Sequence, residues 1–175
     1  PSPPQLLGCP KIDQDENTLI FAPTGSGKTL AAFLWCINNL FLKLKAEPDI
    51  NNSQINTLYI SPLKALNNDI ERNLRNPIKG IWEIANSSGM DVGTLKVSVR
   101  TGDTPPHVRQ SMVNQPPHIL ITTPESLYLL LTSQRGRQIF KKLRYLIVDE
   151  IHALSNNKRG VHLSLTLERL ETLVE

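Results

Sequence analysis

The sequence predicts an α/β fold in which a parallel sheet is covered by helices. Short apolar runs bounded by turn residues alternate five times with stretches of helical periodicity. Two of the runs, "ILI" and "YLIV", lack polar alternation, as expected of strands buried on both faces. At 175 residues with 39% hydrophobic side chains, the chain can build one substantial core.

The elements follow in order. Residues 18–22 are the first expected strand, and "APTGSGKT" (22–29) leaves it. From 28 to 44 the apolar residues Leu30, Phe33, Leu34, Ile37, Phe41 and Leu44 fall on one helical face. "KAEPDINNSQIN" (45–56) is polar, carries Pro48 and reads as a loop. Residues 57–60 ("TLYI") form a strand, and Pro62 opens a helix carrying Leu63, Leu66 and Ile70. "NSSGMDVG" (86–93) breaks the chain; 96–100 alternates as a strand that "TGDTPP" (101–106) ends. The remaining strands cover 118–122 and 144–149, with helices over 124–132 and 161–174. Right-handed crossovers put every strand C-terminus on one edge, where ligands of such sheets bind.

Composition narrows the setting only a little. A formal charge of +3 is compatible with nucleic acid but too weak to argue for it alone. Cys9 and Cys36 show no metal-ligand spacing and no disulfide framework, which points to a reducing, cytoplasmic compartment. No apolar run approaches the roughly 20 residues that span a bilayer, and no signal peptide opens the chain. Because the first residue is Pro1 rather than methionine, the sequence reads as a piece of something longer.

The strand-to-helix turn Thr24-Gly25-Ser26-Gly27 is suited to an anion, because its glycines let several backbone N–H groups point inward and the following helix adds its positive end. Lys28 is expected on the β- and γ-phosphates of a nucleotide and the Thr29 hydroxyl on Mg²⁺. The general pattern asks for glycine where this chain has Ala22. "YLIVDEIH" (145–152) ends a strand in two acids at that same edge. Asp149 is the expected second holder of Mg²⁺, through water, and Glu150 the base that orients and deprotonates an attacking water. His152, two residues on, is read as a sensor of nucleotide state or a cap of the following turn.

Two further strand ends, "SPLKAL" (61–66) and "TPESL" (123–127), each place Ser or Thr at a helix N-cap and proline at the first helical position. Alone these are helix-start signals. Together with Thr101 and Gly102 on one edge, and with Lys64, they can bind successive phosphates of a strand without reading bases. Glu125 would repel a phosphate unless it points away. Trp35 and Trp82 are read as core or boundary residues, and Lys141, Lys142 and Arg144 as a solvated face.

In this order the pieces resemble the first RecA-like domain of superfamily 2 DEAD/DEAH-type helicases. "APTGSGKT" is similar to motif I, including its alanine; "SPLKAL" to motif Ia; "TGD" to the loop that follows; "TPES" to motif Ib; and "DEIH" to motif II. The wording around them looks most like the large helicase-related (Lhr) group. The resemblance implies a three-layer RecA-like domain over residues 1–175 with helices on both faces. It also implies ATP and Mg²⁺ as cofactors, and 3′-to-5′ translocation along DNA, RNA or a hybrid. Backbone contacts are implied at Pro62, Lys64, Ala65, Thr101, Gly102, Thr123 and Pro124. "PSPPQ" resembles the end of the adenine-reading Q motif, which makes Gln5 the adenine contact.

Motif III, the second RecA-like domain and its arginine fingers have no counterpart before Glu175. The resemblance therefore implies a domain truncated at its C-terminus, with an unfilled strand position between 19–21 and 146–148. Two other readings share the cradle. A transporter ATPase should carry an LSGGQ-like signature, which is absent, and a small-molecule kinase needs no Glu directly after its metal-binding Asp. A non-catalytic nucleotide- or nucleic-acid-binding module is the third reading.

Overall fold

Four short strands, each with its chain direction shared by its neighbours, form the centre of the molecule. The structure, a computed structural model, describes residues 1–46, 54–90, 92–155 and 157–174. In chain order the elements are α1 (Pro3–Asp13), α2 (Lys28–Ala46), β1 (Thr57–Ile60), α3 (Lys64–Ser87), β2 (Val97–Arg100), α4 (Pro106–Asn114), β3 (Ile119–Thr122), α5 (Pro124–Thr132), α6 (Gln134–Gln138), β4 (Tyr145–Val148), a 3₁₀ turn (Ile151–Ala153) and α7 (Lys158–Glu171). The strand order is β2-β3-β1-β4, all pairs parallel. Ile60 lies beside both Thr122 and Val148, and Thr122 beside Arg100. All four strands therefore end level, and the four loops that leave them emerge on one edge.

Period-two alternation divides the core between the two faces of the sheet. Tyr59, Ile119 and Ile121 pack with Phe33 and Ile37 of α2 and Ile70 and Leu74 of α3. Leu58, Ile60 and Leu120 pack on the opposite face with Leu127 and Leu131 of α5 and Leu163 and Leu170 of α7. The three layers expected from sequence are present. The helix expected over 28–44 extends to Ala46, and the rest of the expected loop at 47–53 lies outside the described residues. The helix expected over 124–132 is α5. That expected over 161–174 begins earlier, at Lys158, and ends at Glu171. α1, α4 and α6 have no counterpart in the sequence reading.

Three expectations need correction. Residues 18–22 form no strand: among the described residues they pair with no other segment, with Leu19 81% and Phe21 100% exposed. An apolar run becomes a strand only where another backbone lies alongside it; Ile20 instead packs near Gly8 of α1, the Cβ position of which lies 3.2 Å from Ile20 Cδ1. β4 is not buried on both faces, because it is an edge strand and Leu146 is 42% exposed. Pro62 does not begin a helix. α3 starts at Lys64 with Leu63 at its N-cap, and Ser61 Oγ accepts from the Leu63 N–H at 3.3 Å within the preceding turn.

Gly160 marks the tightest approach in the α7 layer. A Cβ there would lie 1.9 Å from the Leu154 carbonyl oxygen, a backbone atom that has no side-chain freedom to yield. Gly160→Ala is therefore expected to destabilise the fold by about 1–3 kcal/mol through overpacking, although alanine is the better helix former by about 1 kcal/mol. Urea denaturation of both forms measures this, and a gain in stability would show that the α7 start is free to move.

Candidate nucleotide and nucleic-acid site

The candidate site is assembled where the strands end. At the start of α2, Gly25 and Gly27 have φ of +78° and +89°, a backbone region that residues with a Cβ rarely adopt. A Cβ at Gly27 would lie 2.9 Å from Ser2 Oγ and 3.8 Å from Gln5 Nε2, so the N-terminal segment lies against the cradle. Gln5 Oε1 accepts from the Ser2 N–H at 2.9 Å, which leaves its amide nitrogen as the free end of the side chain. Lys28 Nζ donates to the carbonyls of Ala22 and Pro23 at 2.5 and 2.9 Å. Ser26 Oγ is buried with no hydrogen-bond partner, and so is Ser2 Oγ. Thr24 and Gly25 are exposed, while Thr29 sits half-buried in the first turn of α2. A cationic side chain, two unpartnered hydroxyls and positive-φ glycines suit a polyphosphate.

The two acids are separated by a backbone kink. The Asp149 N–H continues the ladder by donating to the Ile60 carbonyl at 2.9 Å. Glu150 then adopts the left-handed conformation, φ 49° and ψ 41°. The kink sends the two side chains to different partners. Asp149 accepts from the Tyr59 hydroxyl through Oδ2 and from the Glu150 N–H through Oδ1. Glu150 Oε2 lies 3.1 Å from His152 Nε2, which sets the imidazole beside the expected base.

Tyr59 was not singled out in the sequence. Its ring is fully buried on β1 and stacks on Phe33 of α2, with centroids 5.1 Å apart and planes at 22°. The signal was available: a tyrosine inside the buried run "TLYI" needs a partner for its hydroxyl. Burial, and then the carboxylate of Asp149, push its phenol well above the ordinary tyrosine value. Through this one side chain, α2 and the turn at Asp149 are fixed to each other.

The remaining strand ends carry the other candidates. Thr123 is the N-cap of α5, accepting from the Ser126 N–H at 3.4 Å, and Pro124 follows at the first helical position. Pro62 lies in the β1–α3 turn, and Lys64 and Ala65 open α3. In the β2–α4 loop, Thr101 Oγ1 accepts from the Asp103 N–H at 3.2 Å, and Arg109 donates to the carbonyls of Thr104 and Gly102. Glu125 does point to a partner: Arg159 Nε donates to its Oε1 at 2.7 Å. Burial is the largest single influence and raises the Glu125 carboxyl, but the Arg159 hydrogen bond, the backbone N–H, the Arg159 charge and the Thr123 hydroxyl together outweigh it and hold the carboxyl below the ordinary glutamate value. Among the described residues no group of three or more His, Cys, Asp or Glu could hold a metal, so a cation here would need ligands from a bound phosphate as well.

A glycine-turned cradle at the start of a helix, with a neighbouring strand ending in Asp-Glu on the same edge of a parallel sheet, defines a P-loop nucleotide-binding domain. The DEAD/DEAH box helicase profile matches residues 2–175, and the chain belongs to that family. It is 52% identical over 172 residues to the ATP-dependent helicase Lhr-Core of Methanocaldococcus jannaschii, covering 98% of this chain and 20% of that protein. It is 51% identical over 176 residues to the Lhr helicase/probable uracil glycosylase of Mycolicibacterium smegmatis, covering 100% of this chain and 11% of the relative. The fold matches the structure of the Mycobacterium smegmatis helicase Lhr bound to ssDNA and AMP-PNP with a TM-score of 0.91 at 49% identity, over 100% of this chain and 21% of that one. The chain thus spans about a fifth or less of the length of these relatives. Among the described residues no helix is long and apolar enough to cross a membrane.

The Tyr59–Asp149 bond yields a test in alkali. Tyrosine in an unfolded chain ionises near pH 10, whereas folded Tyr59 keeps its proton to higher pH. The Tyr59 contribution is complete below about pH 10; above it the unfolded state binds fewer protons, and stability falls by up to about 1.4 kcal/mol per pH unit for this group. Tyr59→Phe should remove that slope, so the stability gap between wild type and variant narrows from about pH 9 to about pH 11. Urea midpoints across the range measure it; a constant gap would show that Tyr59 ionises as readily folded as unfolded.

Proposed function

We propose that this chain is the ATP-binding RecA-like domain of an ATP-dependent helicase, holding Mg-ATP and gripping one nucleic-acid strand by its backbone. The observation that carries the reading is the split of Asp149 and Glu150 by the left-handed turn at the level strand ends. It leaves one acid for a cation and the other for water, the division that phosphoryl transfer to water requires. The relatives named above, an ATP-dependent helicase and a helicase bound to ssDNA and AMP-PNP, support the same reading.

The residues divide the work as follows. The N–H groups of Thr24, Gly25, Ser26 and Gly27 and the start of α2 cradle the phosphates, and Lys28 exchanges its two carbonyl partners for phosphate oxygens. The Gln5 amide faces the adenine edge. Thr29 and Asp149 hold Mg²⁺, and Tyr59 fixes the Asp149 carboxylate for that task. Glu150 accepts a proton from the attacking water, with His152 holding its carboxylate. When bound, Mg-ATP supplies the γ-phosphoryl group whose hydrolysis drives movement. Pro62, Lys64, Ala65, Thr101, Gly102, Thr123 and Pro124 line the strand's path, DNA, RNA or hybrid, across the sheet edge. A second RecA-like domain supplies arginine fingers and completes the motor.

In the full-length protein, Lys28→Ala is expected to weaken ATP binding about tenfold to a hundredfold, the loss of a charge-assisted contact of roughly 1.5–3 kcal/mol. Calorimetric titration reads this directly, and unchanged affinity would remove Lys28 from the phosphate site. Glu150→Gln should retain ATP affinity while losing nucleic-acid-stimulated turnover, because an amide cannot take the proton. Wild-type turnover by that variant would assign the base elsewhere.

A further inference from the structure

Arg159 belongs to no motif in the sequence reading, yet it touches two of the candidate nucleic-acid loops at once. From the first turn of α7, its Nε donates to Glu125 Oε1 at 2.7 Å and its Nη2 donates to the Pro62 carbonyl at 2.9 Å. Glu125 lies in the first turn of α5, one residue after Pro124, and Pro62 precedes α3. The guanidinium thus ties the start of α7 to the loops that leave β1 and β3, using two of its five donors.

The other end of the connection is the turn that carries the acids. The Ala153 N–H donates to the Glu150 carbonyl at 2.8 Å. The Ala153 carbonyl accepts from Asn157 Nδ2 at 2.8 Å, and Asn157 Oδ1 caps α7 by accepting from the Gly160 N–H at 3.0 Å. Gly160, next to Arg159, leaves no room for a side chain against the Leu154 carbonyl, so α7 starts directly on the end of the 3₁₀ turn. Every step from Glu150 to the guanidinium is a hydrogen bond or a covalent link.

Stability does not account for this arrangement. Arg159 and Glu125 are 44% and 54% exposed, and an ion pair that open contributes little to folding. Its geometry matters more. A phosphate at the start of α5 would meet the negative Glu125, and the same guanidinium that neutralises Glu125 can also attract the phosphate. Occupying the loops would therefore change what the Arg159 guanidinium holds, and the hydrogen bonds behind it connect Arg159 to the Glu150 turn.

We infer that Arg159 is a positioning residue that couples nucleic-acid occupancy of the Pro62 and Pro124 loops to the acid turn at Asp149-Glu150. The inference rests on the functional reading above and adds the route by which that activity is regulated. Its observed partners are Glu125 and the Pro62 carbonyl, so it is assigned no part in the chemistry itself.

The test uses the full-length protein, ATP and a mixed-sequence single-stranded DNA oligonucleotide. Arg159→Ala should keep the wild-type melting temperature and DNA-free ATP turnover. Its maximal stimulation by DNA should fall roughly tenfold, within the 5- to 150-fold span typical of coupling between sites. The DNA concentration giving half-maximal stimulation should change much less. Arg159→Lys should not restore coupling, because an ammonium cannot bridge the carboxylate and the carbonyl as a planar fork does. Adding Glu125→Gln to Arg159→Ala should not restore it either, because the Pro62 link stays broken.

Full stimulation of Arg159→Ala would overturn the inference. So would an equal loss of basal and stimulated turnover, or a weakened DNA response that reaches the wild-type maximum, which would make Arg159 a mere phosphate ligand. If Arg159→Ala does not fold, Arg159→Lys alone decides: wild-type coupling in that variant refutes the role. A wild-type protein whose turnover ignores DNA and RNA alike would instead overturn the functional reading itself.

Discussion

The hydroxyl of Tyr59 is the constraint on which the site depends. β1 is buried on both faces, so a polar atom at its centre must find a partner inside the protein or cost about 1–3 kcal/mol. It finds Asp149, 90 residues away in sequence. The same ring stacks on Phe33, one and a half turns along the helix that begins at Lys28. One side chain thus sets the start of α2 against the end of β4, and those two places hold the lysine and the acids.

The level ending of the four strands does the rest. Parallel pairing in a common register brings Ser61, Thr101, Thr123 and Asp149 out along one line. What distinguishes the last of these exits is backbone strain. Glu150 is a non-glycine residue in the left-handed region, at a cost of order 1–3 kcal/mol. Continued extended backbone would instead have sent Asp149 and Glu150 to opposite faces of the sheet. The strain is offset locally by the Glu150 N–H on Asp149 and by the ladder bond from the Asp149 N–H to Ile60.

The legible parts of the sequence were those fixed by nearby residues. The helical face of α2, the Thr123-Pro124 start of α5, the glycine turn before Lys28 and the acid pair after an apolar strand each need only a few neighbours to be read. Errors came where a partner lies far along the chain. "TLIFA" at 18–22 has strand composition but no strand beside it, and composition cannot report that. "YLIV" has the composition of a central strand, yet the order β2-β3-β1-β4 leaves it at the edge. Tyr59 and Arg159 escaped notice for the same reason, since the Arg159 contact with Pro62 spans 97 residues. The Ser61 misreading was local: its hydroxyl closes a two-residue turn, and the helix starts only after Leu63.

A net charge of +3 leaves little general attraction for a polyanion, so the electrostatics of the loops has to be local. Glu125 shows how. An acid in the first turn of α5 favours the helix dipole, which stabilises the fold, but it stands where a phosphate would approach. Arg159 resolves the conflict by neutralising the acid without removing it, and it does so from a helix whose N-cap, Asn157, is hydrogen-bonded to the acid turn at Ala153. A lysine or arginine in place of Glu125 would supply more charge to the loop but would give Arg159 nothing to hold. The acid is therefore the anchor that keeps the guanidinium between the loops that leave β1 and β3.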